Sequence, residues 1–189
     1  MSGFTHTTEF FGPLLAVMRA EDMEHAVRIA NATPYGLTAG LHSLDENEQK
    51  RWSERIEAGN LYINRPITGA IVRRQPFGGH KASSFGPGAK AGGPNYVLQM
   101  THAKQRSAPR VVSPPLPKAA DFIVAVRRHL TETERERVSV AACSYFDAMR
   151  RHFAVDHDPS LVLGERNVFR YQPSNPMLLR AALGAAPAE

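Results

Sequence analysis

Cysteine, tryptophan and long apolar runs are what this sequence has least of. Cys143 is the single cysteine among 189 residues, which excludes an internal disulfide framework and a zinc site built from several cysteines. No apolar run approaches the roughly 20 residues that cross a bilayer. The N-terminus lacks the basic and apolar regions of a signal peptide. These absences predict a cytoplasmic protein with no membrane partner and no metal site.

The charge balance is mildly basic, with 23 basic and 18 acidic residues and a net charge of +5. Most of the excess lies in residues 101–189, where arginine predominates, and an arginine-rich face would suit phosphate groups. However, acidic residues are interleaved with the arginines, which is typical of a solvated helix surface. Nucleic-acid binding is therefore the weaker alternative, and no nucleic-acid partner is expected.

Apolar periodicity in the first 63 residues predicts alternating strands and helices. This alternation is typical of an α/β fold whose strands pair in parallel. The predicted elements are a buried strand within 9–20, a helix at 21–33 capped by Asp22, a strand at 37–43, a helix from Asp45 to Gly59 and a strand at Leu61–Ile63.

The helix that begins at Asp45 carries three further signals. Glu48 follows Asp45 by three residues, as in a capping box. Gly59 is the predicted left-handed residue at its C-terminal end. Its apolar stripe is little more than Trp52 and Ile56, which predicts a position on the surface.

The remainder of the chain divides by composition. A proline-rich stretch at 107–118 predicts an exposed linker between residues 1–106 and a mainly helical extension at 119–189. Within the extension, helices are predicted at about 119–130 and 131–153. Thr131 and Glu134 form a capping box for the second of these helices.

Residues 78–96 form a glycine-rich stretch that matches neither a Walker loop nor a Rossmann fingerprint. Its small residues expose backbone N–H groups, which are the groups that bind anions. Ser83 and Ser84 add hydroxyl donors, and Lys81 and Lys90 add positive charge. The composition therefore suits an anion cradle, with a surface loop that binds no ligand as the alternative.

Glu9 and Cys143 are the other candidates for chemistry. Glu9 lies just before the turn at Gly12-Pro13, where a carboxylate would accept two hydroxyl hydrogen bonds, as from a ribose. The alternative is an exposed acid beside two core aromatics. Cys143 lies in the middle of a predicted helix, with no feature that would lower the pKa of a thiol, and we interpret it as structural.

Four blocks in the first 105 residues resemble the C-terminal part of the NAD-dependent aldehyde dehydrogenase superfamily. Two longer stretches, Thr68–Gly79 and Gly86–Tyr96, are similar to 1-pyrroline-5-carboxylate dehydrogenases, also called L-glutamate γ-semialdehyde dehydrogenases, including the modules of bifunctional proline-utilisation proteins. Leu163–Pro173 resembles the C-terminal extension of those proteins. The four blocks are E-F-F-G-P at Glu9–Pro13, N-A-T-P-Y-G-L-T-A-G-L at Asn31–Leu41, G-N-L-Y-I-N at Gly59–Asn64 and Q-P-F-G-G-H-K-A-S at Gln75–Ser83.

The resemblance implies roles for particular residues. Glu9 would bond the nicotinamide ribose hydroxyls of NAD, and Phe11 would pack against the nicotinamide end. Phe77 would line the aldehyde tunnel. The substrate's α-carboxylate would be held by the loop from Ser84 to Ala89, which includes Gly86 and Gly88.

The resemblance also implies what this chain does not supply. In the family, the nucleophilic cysteine, the glutamate base and the nucleotide-binding domain precede these blocks, so no catalytic residue is assigned here. We therefore expect a C-terminal fragment of an NAD-dependent glutamate semialdehyde dehydrogenase of proline breakdown, inactive alone. Its expected partners are an aldehyde substrate and either an upstream dehydrogenase segment or a second copy, contacted through Met100–Ser107. The alternative is a non-catalytic docking or assembly partner of a full-length homologue.

Overall fold

The computed structural model describes residues 3–71, 74–86, 89–104 and 114–173. The chain divides into two units, Met1–His102 and Ala103–Glu189, and each is described by itself. The elements of the first unit are helices α1 (Phe4–Thr7), α2 (Met23–Asn31) and α3 (Glu46–Arg55), strands β1 (Tyr35–Gly36), β2 (Thr38–Leu41), β3 (Asn60–Ile63) and β4 (His80–Lys81), and a 3₁₀ turn at Val97–Met100.

Two parallel strands joined by a helix form the centre of the first unit. β2 and β3 pair in parallel over four residues, from Thr38 opposite Asn60 to Leu41 opposite Ile63. α3 connects them, because parallel neighbours need a crossover rather than a tight turn. The predicted α/β class and parallel pairing are confirmed: this is a partial parallel sheet with flanking helices.

The core of this unit is small and is built around Trp52. Val27 of α2, Trp52 of α3 and Ile56 just after it are 5 to 7% exposed and form one cluster. The helix after Asp45 lies at the surface as predicted, with six of its ten residues exposed and Trp52 as its one buried residue. This thin apolar stripe is enough to attach α3 to the core, because one indole ring buries as much area as several small aliphatic side chains. Partly buried residues around the cluster are Met23, Ala39, Leu41, Leu61 and Ile63.

Polar side chains set where these helices begin. The Asp22 carboxylate accepts the His25 backbone N–H at 2.7 Å, which confirms the predicted cap of α2. At α3, Asp45 accepts the Asn47 N–H at 2.8 Å. Glu48 does not return to Asp45, because its carboxylate accepts the Ser43 hydroxyl at 2.7 Å instead. The reciprocal box expected at α3 is therefore absent.

The strand predicted within residues 9–20 does not form. These residues bend at 11–13 and pair with no strand in the described part of the chain. Their apolar side chains are exposed, with Phe11 at 101%, Leu15 at 86% and Val17 at 84%. A strand needs a neighbouring edge for its backbone hydrogen bonds, and no described residues supply one. We call residues 10–18 the apolar strip.

The described part of the second unit is mainly helical. α4 (Pro117–Val126) starts two residues before the predicted linker ends, and a 3₁₀ turn leads into α5 (Glu132–Ala148). Thr131 and Glu134 bond each other's backbone N–H groups, so the predicted capping box is confirmed. α5 continues as a π-helical turn over Met149–Phe153. Most of the proposed 107–118 linker lies outside the described residues, and the three domain boundaries stay predictions.

An apolar groove of about 510 Å³ lies between α4 and α5. Val138, Ala142 and Tyr145 of α5, and Met149 just after it, contribute to its wall. Beyond α5, an antiparallel bridge between His157 and Phe169 folds the chain back, so that Tyr171 packs against the helix end. Within the described ranges, no helix has the length and apolarity to cross a membrane.

Candidate functional site

The glycine-rich stretch forms a loop with a closed neck. Phe77 donates its backbone N–H to the Ala91 carbonyl at 3.0 Å, and Ala91 returns a hydrogen bond to Phe77 at 2.8 Å. We call this pair the loop neck and residues 78–90 the loop. Ser84, Gly86 and Ala89, which the resemblance assigned to the substrate carboxylate, therefore belong to one closed loop. Gly88 lies outside the described residues.

The tip of this loop is presented to solvent. Ser84 and Gly86 are exposed, and the Phe85 side chain between them is 98% exposed. Gly86 has a φ of +61°, which favours glycine, although a Cβ there would meet no atom within 4 Å. Glycine is therefore required by the backbone conformation rather than by crowding. The Ser84 amide is already engaged, since it donates to the Lys81 carbonyl at 3.1 Å.

The first half of the loop is pinned to the turn that follows α2. β4 pairs antiparallel with β1. The Ser83 hydroxyl accepts the Gly36 N–H at 3.1 Å, and the Ala82 N–H donates to the Pro34 carbonyl at 3.1 Å. Ser83 therefore anchors the loop, and of the two predicted hydroxyl donors Ser84 is the one at the tip.

Lys81 does not contribute its charge to the tip. Its ammonium group donates to the Asn31 carbonyl at 2.6 Å and to the Thr33 carbonyl at 3.1 Å. It also pairs with the Glu57 carboxylate at 2.6 Å. The interpretation of Lys81 as part of an anion cradle is wrong, because the side chain reaches back about 50 residues to the end of α2.

Lys90 is turned inward as well. Its ammonium group donates to the carbonyls of Gly59 and Gly78, the latter at 2.6 Å, and lies 3.5 Å from Oδ1 of Asn60. Burial lowers the pKa of Lys90 to about 8. The second predicted cradle lysine is therefore also an anchor. The two ammonium groups, which the composition had suggested for binding an anion, hydrogen-bond the protein's own carbonyls instead.

Asn60 hydrogen-bonds backbone groups at the loop neck. Its role was not predicted from the sequence. Its side-chain amide donates to the Pro76 carbonyl at 3.0 Å and accepts the Gly78 N–H at 3.1 Å. The side chain is almost fully buried at the start of β3, on the same face as Tyr62. A polar residue at an inward strand position must be hydrogen-bonded, and that alternation was the available signal.

Gly59 has a different role from the predicted one. It does not adopt a left-handed conformation, and α3 already ends at Arg55. A Cβ on Gly59 would lie 1.8 Å from the Gly78 carbonyl oxygen. Glycine is needed there because the neck passes directly against the chain that enters β3.

His80 is the first residue of β4 and feels the charges of both lysine anchors. Its pKa is held below the usual value by burial first, and then by the positive charge of Lys90, while Glu57 opposes the shift. The neutral imidazole is therefore favoured in the folded chain.

The residues assigned to the cofactor and the aldehyde are exposed. Glu9 is exposed and Phe11 fully so, and Phe77 at the loop neck is 39% exposed. Within the described ranges, no hydrogen bond or ring contact joins Glu9 or Phe11 to the loop. The structure thus brings Ser84, Gly86 and Ala89 together in one loop, and it does not link them to Glu9 or Phe11.

Cys143 and the arginines of the second unit take structural positions. Cys143 is half-buried in the middle of α5. Acidic neighbours pair with several arginines, including Asp147 with Arg150 and Arg151. No group of three metal-ligating side chains occurs within the ranges that the structure describes.

Comparison with known proteins places these features in a family. The sequence pattern of the aldehyde dehydrogenase family matches residues 3–106. The 1-pyrroline-5-carboxylate dehydrogenase of Geobacillus sp. (strain WCH70) is 47% identical over 96 residues, covering 51% of this chain and 18% of that protein. The corresponding protein of Bacillus subtilis (strain 168) is 46% identical over 99 residues, covering 52% and 19%.

A solved structure extends the similarity into the second unit. Proline Utilization A (PutA) from Corynebacterium freiburgense is 47% identical, and the alignment covers 91% of this chain and 17% of that one, with a TM-score of 0.76. The present chain thus spans less than a fifth of the length of the curated relatives it matches. Since the family pattern covers more than half of its residues, the chain belongs to the aldehyde dehydrogenase family.

Proposed function

We propose that this chain supplies the substrate-carboxylate loop and part of the cofactor site of an NAD-dependent L-glutamate γ-semialdehyde dehydrogenase. The observation that carries the proposal is the closed loop at residues 78–90, anchored at both ends, with an exposed, positive-φ tip. The identity of 46 to 47% to two 1-pyrroline-5-carboxylate dehydrogenases over this part of the chain supports it.

The chemistry of the tip suits a carboxylate. Backbone N–H groups in a turn bind anions without a charged side chain, and both nearby lysines are engaged elsewhere. In this proposal Ser84, Gly86, Gly88 and Ala89 hold the α-carboxylate of the semialdehyde, and Phe77 lines the path of its aldehyde end. Holding the end remote from the reacting carbon orients the substrate and gives specificity.

Two exposed residues, Glu9 just before the apolar strip and Phe11 within it, suit the nicotinamide end of NAD. The Glu9 carboxylate is exposed and accepts no hydrogen bond from the residues that the structure describes, so both oxygens can receive ribose hydroxyls. One face of Phe11 is open to pack against the nicotinamide. When bound, NAD accepts the hydride in the oxidation of the aldehyde to the acid.

The proposed reaction requires residues from another segment. Cys143 is half-buried in the middle of α5, which is not a position typical of a nucleophilic cysteine, so in this proposal the nucleophile comes from another segment. The apolar strip is exposed in this chain, as expected for a surface that another part of a catalytic domain covers. We propose that an upstream aldehyde dehydrogenase segment covers it and that the chain alone is inactive.

An assay of NAD⁺ reduction with glutamate semialdehyde tests the proposal. The purified chain is assayed alone and mixed with a separately expressed upstream segment of an aldehyde dehydrogenase. We expect activity in the mixture only, and we expect Glu9→Gln to raise the KM for NAD⁺ at least tenfold. The matched control is Glu54→Gln, an exposed acid on α3, which should leave KM unchanged.

Two results would contradict the proposal. Activity of the chain alone would mean that it contains its own nucleophile. Absence of activity in a mixture that binds tightly would instead favour the docking role, in which the exposed strip serves assembly rather than catalysis.

A further inference from the structure

We propose that Lys90 is the positioning residue of the substrate loop: its ammonium group ties the loop neck to the start of β3, so that the tip is presented in one geometry. The inference rests on the proposed function, because it assigns a new role within the same site. This role differs from the one in the predicted anion cradle, where the Lys90 ammonium group would have contacted the anion itself.

The first step is that Lys90 closes the neck from the inside. Gly78 and Lys90 are the first and last residues of the loop, directly beyond the Phe77–Ala91 pair. The backbone hydrogen bonds of that pair are 3.0 and 2.8 Å, and the Lys90 side chain adds a contact of 2.6 Å to the Gly78 carbonyl. The side chain thus bonds the opposite end of its own loop.

The second step is that Lys90 attaches this neck to the parallel sheet. Its ammonium group also donates to the Gly59 carbonyl, 31 residues earlier in the chain and directly before β3. Asn60, the first residue of β3, bonds Pro76 and Gly78 on the other side of the same neck. The loop is therefore attached to β3, one of the two strands of the parallel pair.

The third step is that the contact is specific for a donor group. No described carboxylate pairs with Lys90, whereas Lys81 pairs with Glu57. An apolar side chain of the same length would leave the half-buried Gly59 and Gly78 carbonyls without this donor, which is costly for backbone groups that are shielded from water. Burial lowers the pKa of Lys90 to about 8, yet a neutral amine retains two N–H groups, enough for both carbonyls.

The fourth step concerns the tip. Ala89, one of the residues proposed to bind the carboxylate, is bonded directly to Lys90. The other side of the tip is held separately, by Ala82 and Ser83 against Pro34 and Gly36. Loss of the Lys90 contact would therefore release the side of the tip that carries Ala89 while the Ser83 side stays anchored.

Amide hydrogen exchange on the whole chain tests the clamp without any need for catalysis. In Lys90→Met, we expect the amides of Phe77 and Ala91 to exchange at least tenfold faster, because their hydrogen bonds lose the side-chain support. The control is Lys50→Met, the same change at an exposed lysine on α3, with exchange unchanged. Equal exchange at the neck in Lys90→Met and the unaltered chain would overturn the proposal.

Chemical rescue separates the donor from mere side-chain volume. Lys90→Cys is prepared with Cys143→Ser, so that one thiol is present, and treated with 2-bromoethylamine, which alkylates the thiolate and releases bromide. The product restores an amine at the lysine length. We expect the neck protection to return to within threefold of the unaltered chain. Failure of the amine to restore protection in a correctly folded sample would exclude the donor role.

A split between kinetic constants tests positioning in the completed enzyme. With the upstream segment present, Lys90→Met should raise the KM for glutamate semialdehyde at least tenfold and change kcat less than threefold. The KM for propanal, which has no carboxylate, should not change. An equal rise for both aldehydes would reduce Lys90 to a structural residue. If no mixture oxidises semialdehyde, the proposed function fails while the exchange result still decides the clamp.

Discussion

At the residue scale, backbone carbonyls decide what the charged and small residues of the loop do. Lys81, Lys90 and Asn60 all bond main-chain groups at short distance. Such bonds hold a glycine-rich loop that has few side chains of its own to pack. The loop can therefore combine a flexible, glycine-rich sequence with a defined geometry, because the residues that anchor it lie outside its tip.

Gly59→Ala tests the close approach at the neck. The new Cβ would lie 1.8 Å from the Gly78 oxygen and 2.6 Å from Gly79 Cα, and both are backbone atoms that cannot rotate away. We expect a loss of about 1–3 kcal/mol in the free energy of unfolding. Urea unfolding followed by the fluorescence of Trp52, the single and buried tryptophan, measures it.

The control for this prediction is Gly12→Ala, where no atom lies within 4 Å of the new Cβ. That change should alter the unfolding free energy by less than about 0.5 kcal/mol. If both variants unfold at the same urea concentration as the unaltered chain, the neck does not approach β3 as described.

His80 makes the stability of the first unit depend on pH. Its pKa is lowered in the folded chain, mainly by burial and then by the charge of Lys90. The unfolded chain therefore binds a proton first as pH falls below about 6.5, and the folded state loses stability there. From pH 7.5 to 5.0, the unaltered chain should lose more unfolding free energy than His80→Gln. Parallel pH curves for the two would contradict the prediction.

At the scale of elements, local capping and long-range pairing contribute differently. The caps at Asp22 and Thr131 involve residues three apart and were recognised directly. The crossover from β2 through α3 to β3 followed from the order of the patterns. The first predicted strand failed because its apolar run met the local criterion for a strand while no described edge pairs with it.

Thr131→Ala tests the capping box of α5. Thr131 bonds the Glu134 N–H, and the Glu134 carboxylate accepts both the N–H and the hydroxyl of Thr131. Hydrogen bonding by Thr131 keeps the pKa of Glu134 below its usual value. We expect Thr131→Ala to cost about 1 kcal/mol of helix stability, measured by circular dichroism during thermal unfolding.

Thr133→Ala is the matched control, because it makes the same change two residues further along the chain, inside α5. Alanine has a higher helix propensity than threonine, so this variant should be neutral or slightly more stable. An equal loss in both variants would show that the hydroxyl of Thr131 contributes nothing beyond side-chain volume.

At the scale of the whole molecule, the exposed apolar strip is the main departure from a self-sufficient domain. The family pattern covers residues 3–106, while the matched relatives are more than five times longer than the matched segment. Exposed apolar surface of this extent binds partners or self-associates. The proposed requirement for an upstream segment follows from this exposed strip.

Leu15→Asp tests whether the apolar strip forms one continuous surface that binds apolar molecules. Leu15 is 86% exposed within a run of exposed apolar residues, whereas Leu44 is 95% exposed and precedes α3. We expect Leu15→Asp to lower the fluorescence of bound anilinonaphthalene sulfonate by at least half without changing the unfolding midpoint. Leu44→Asp should leave the fluorescence as it is. A fall in the unfolding midpoint for Leu15→Asp would show instead that the strip is packed.

Local patterns in the residues determined most of the regular elements and the family. Helix periodicity, capping pairs and the four motif blocks each lie within a few consecutive residues, so the physics that they report is local. The parallel pairing and the aldehyde dehydrogenase resemblance, both confirmed, belong to this class.

The tertiary structure alone decided where the loop's donors point. Lys81, Ser83 and Lys90 each had the right chemistry for an anion, but their partners lie 12 to 50 residues away on other elements. Composition records which groups can donate a hydrogen bond and cannot record which carbonyl lies within 3 Å. The Lys81 and Lys90 ammonium groups bond the protein's own carbonyls, since a carbonyl that loses water on folding without gaining a donor is costly, and the Ser84 side chain stays exposed at the tip.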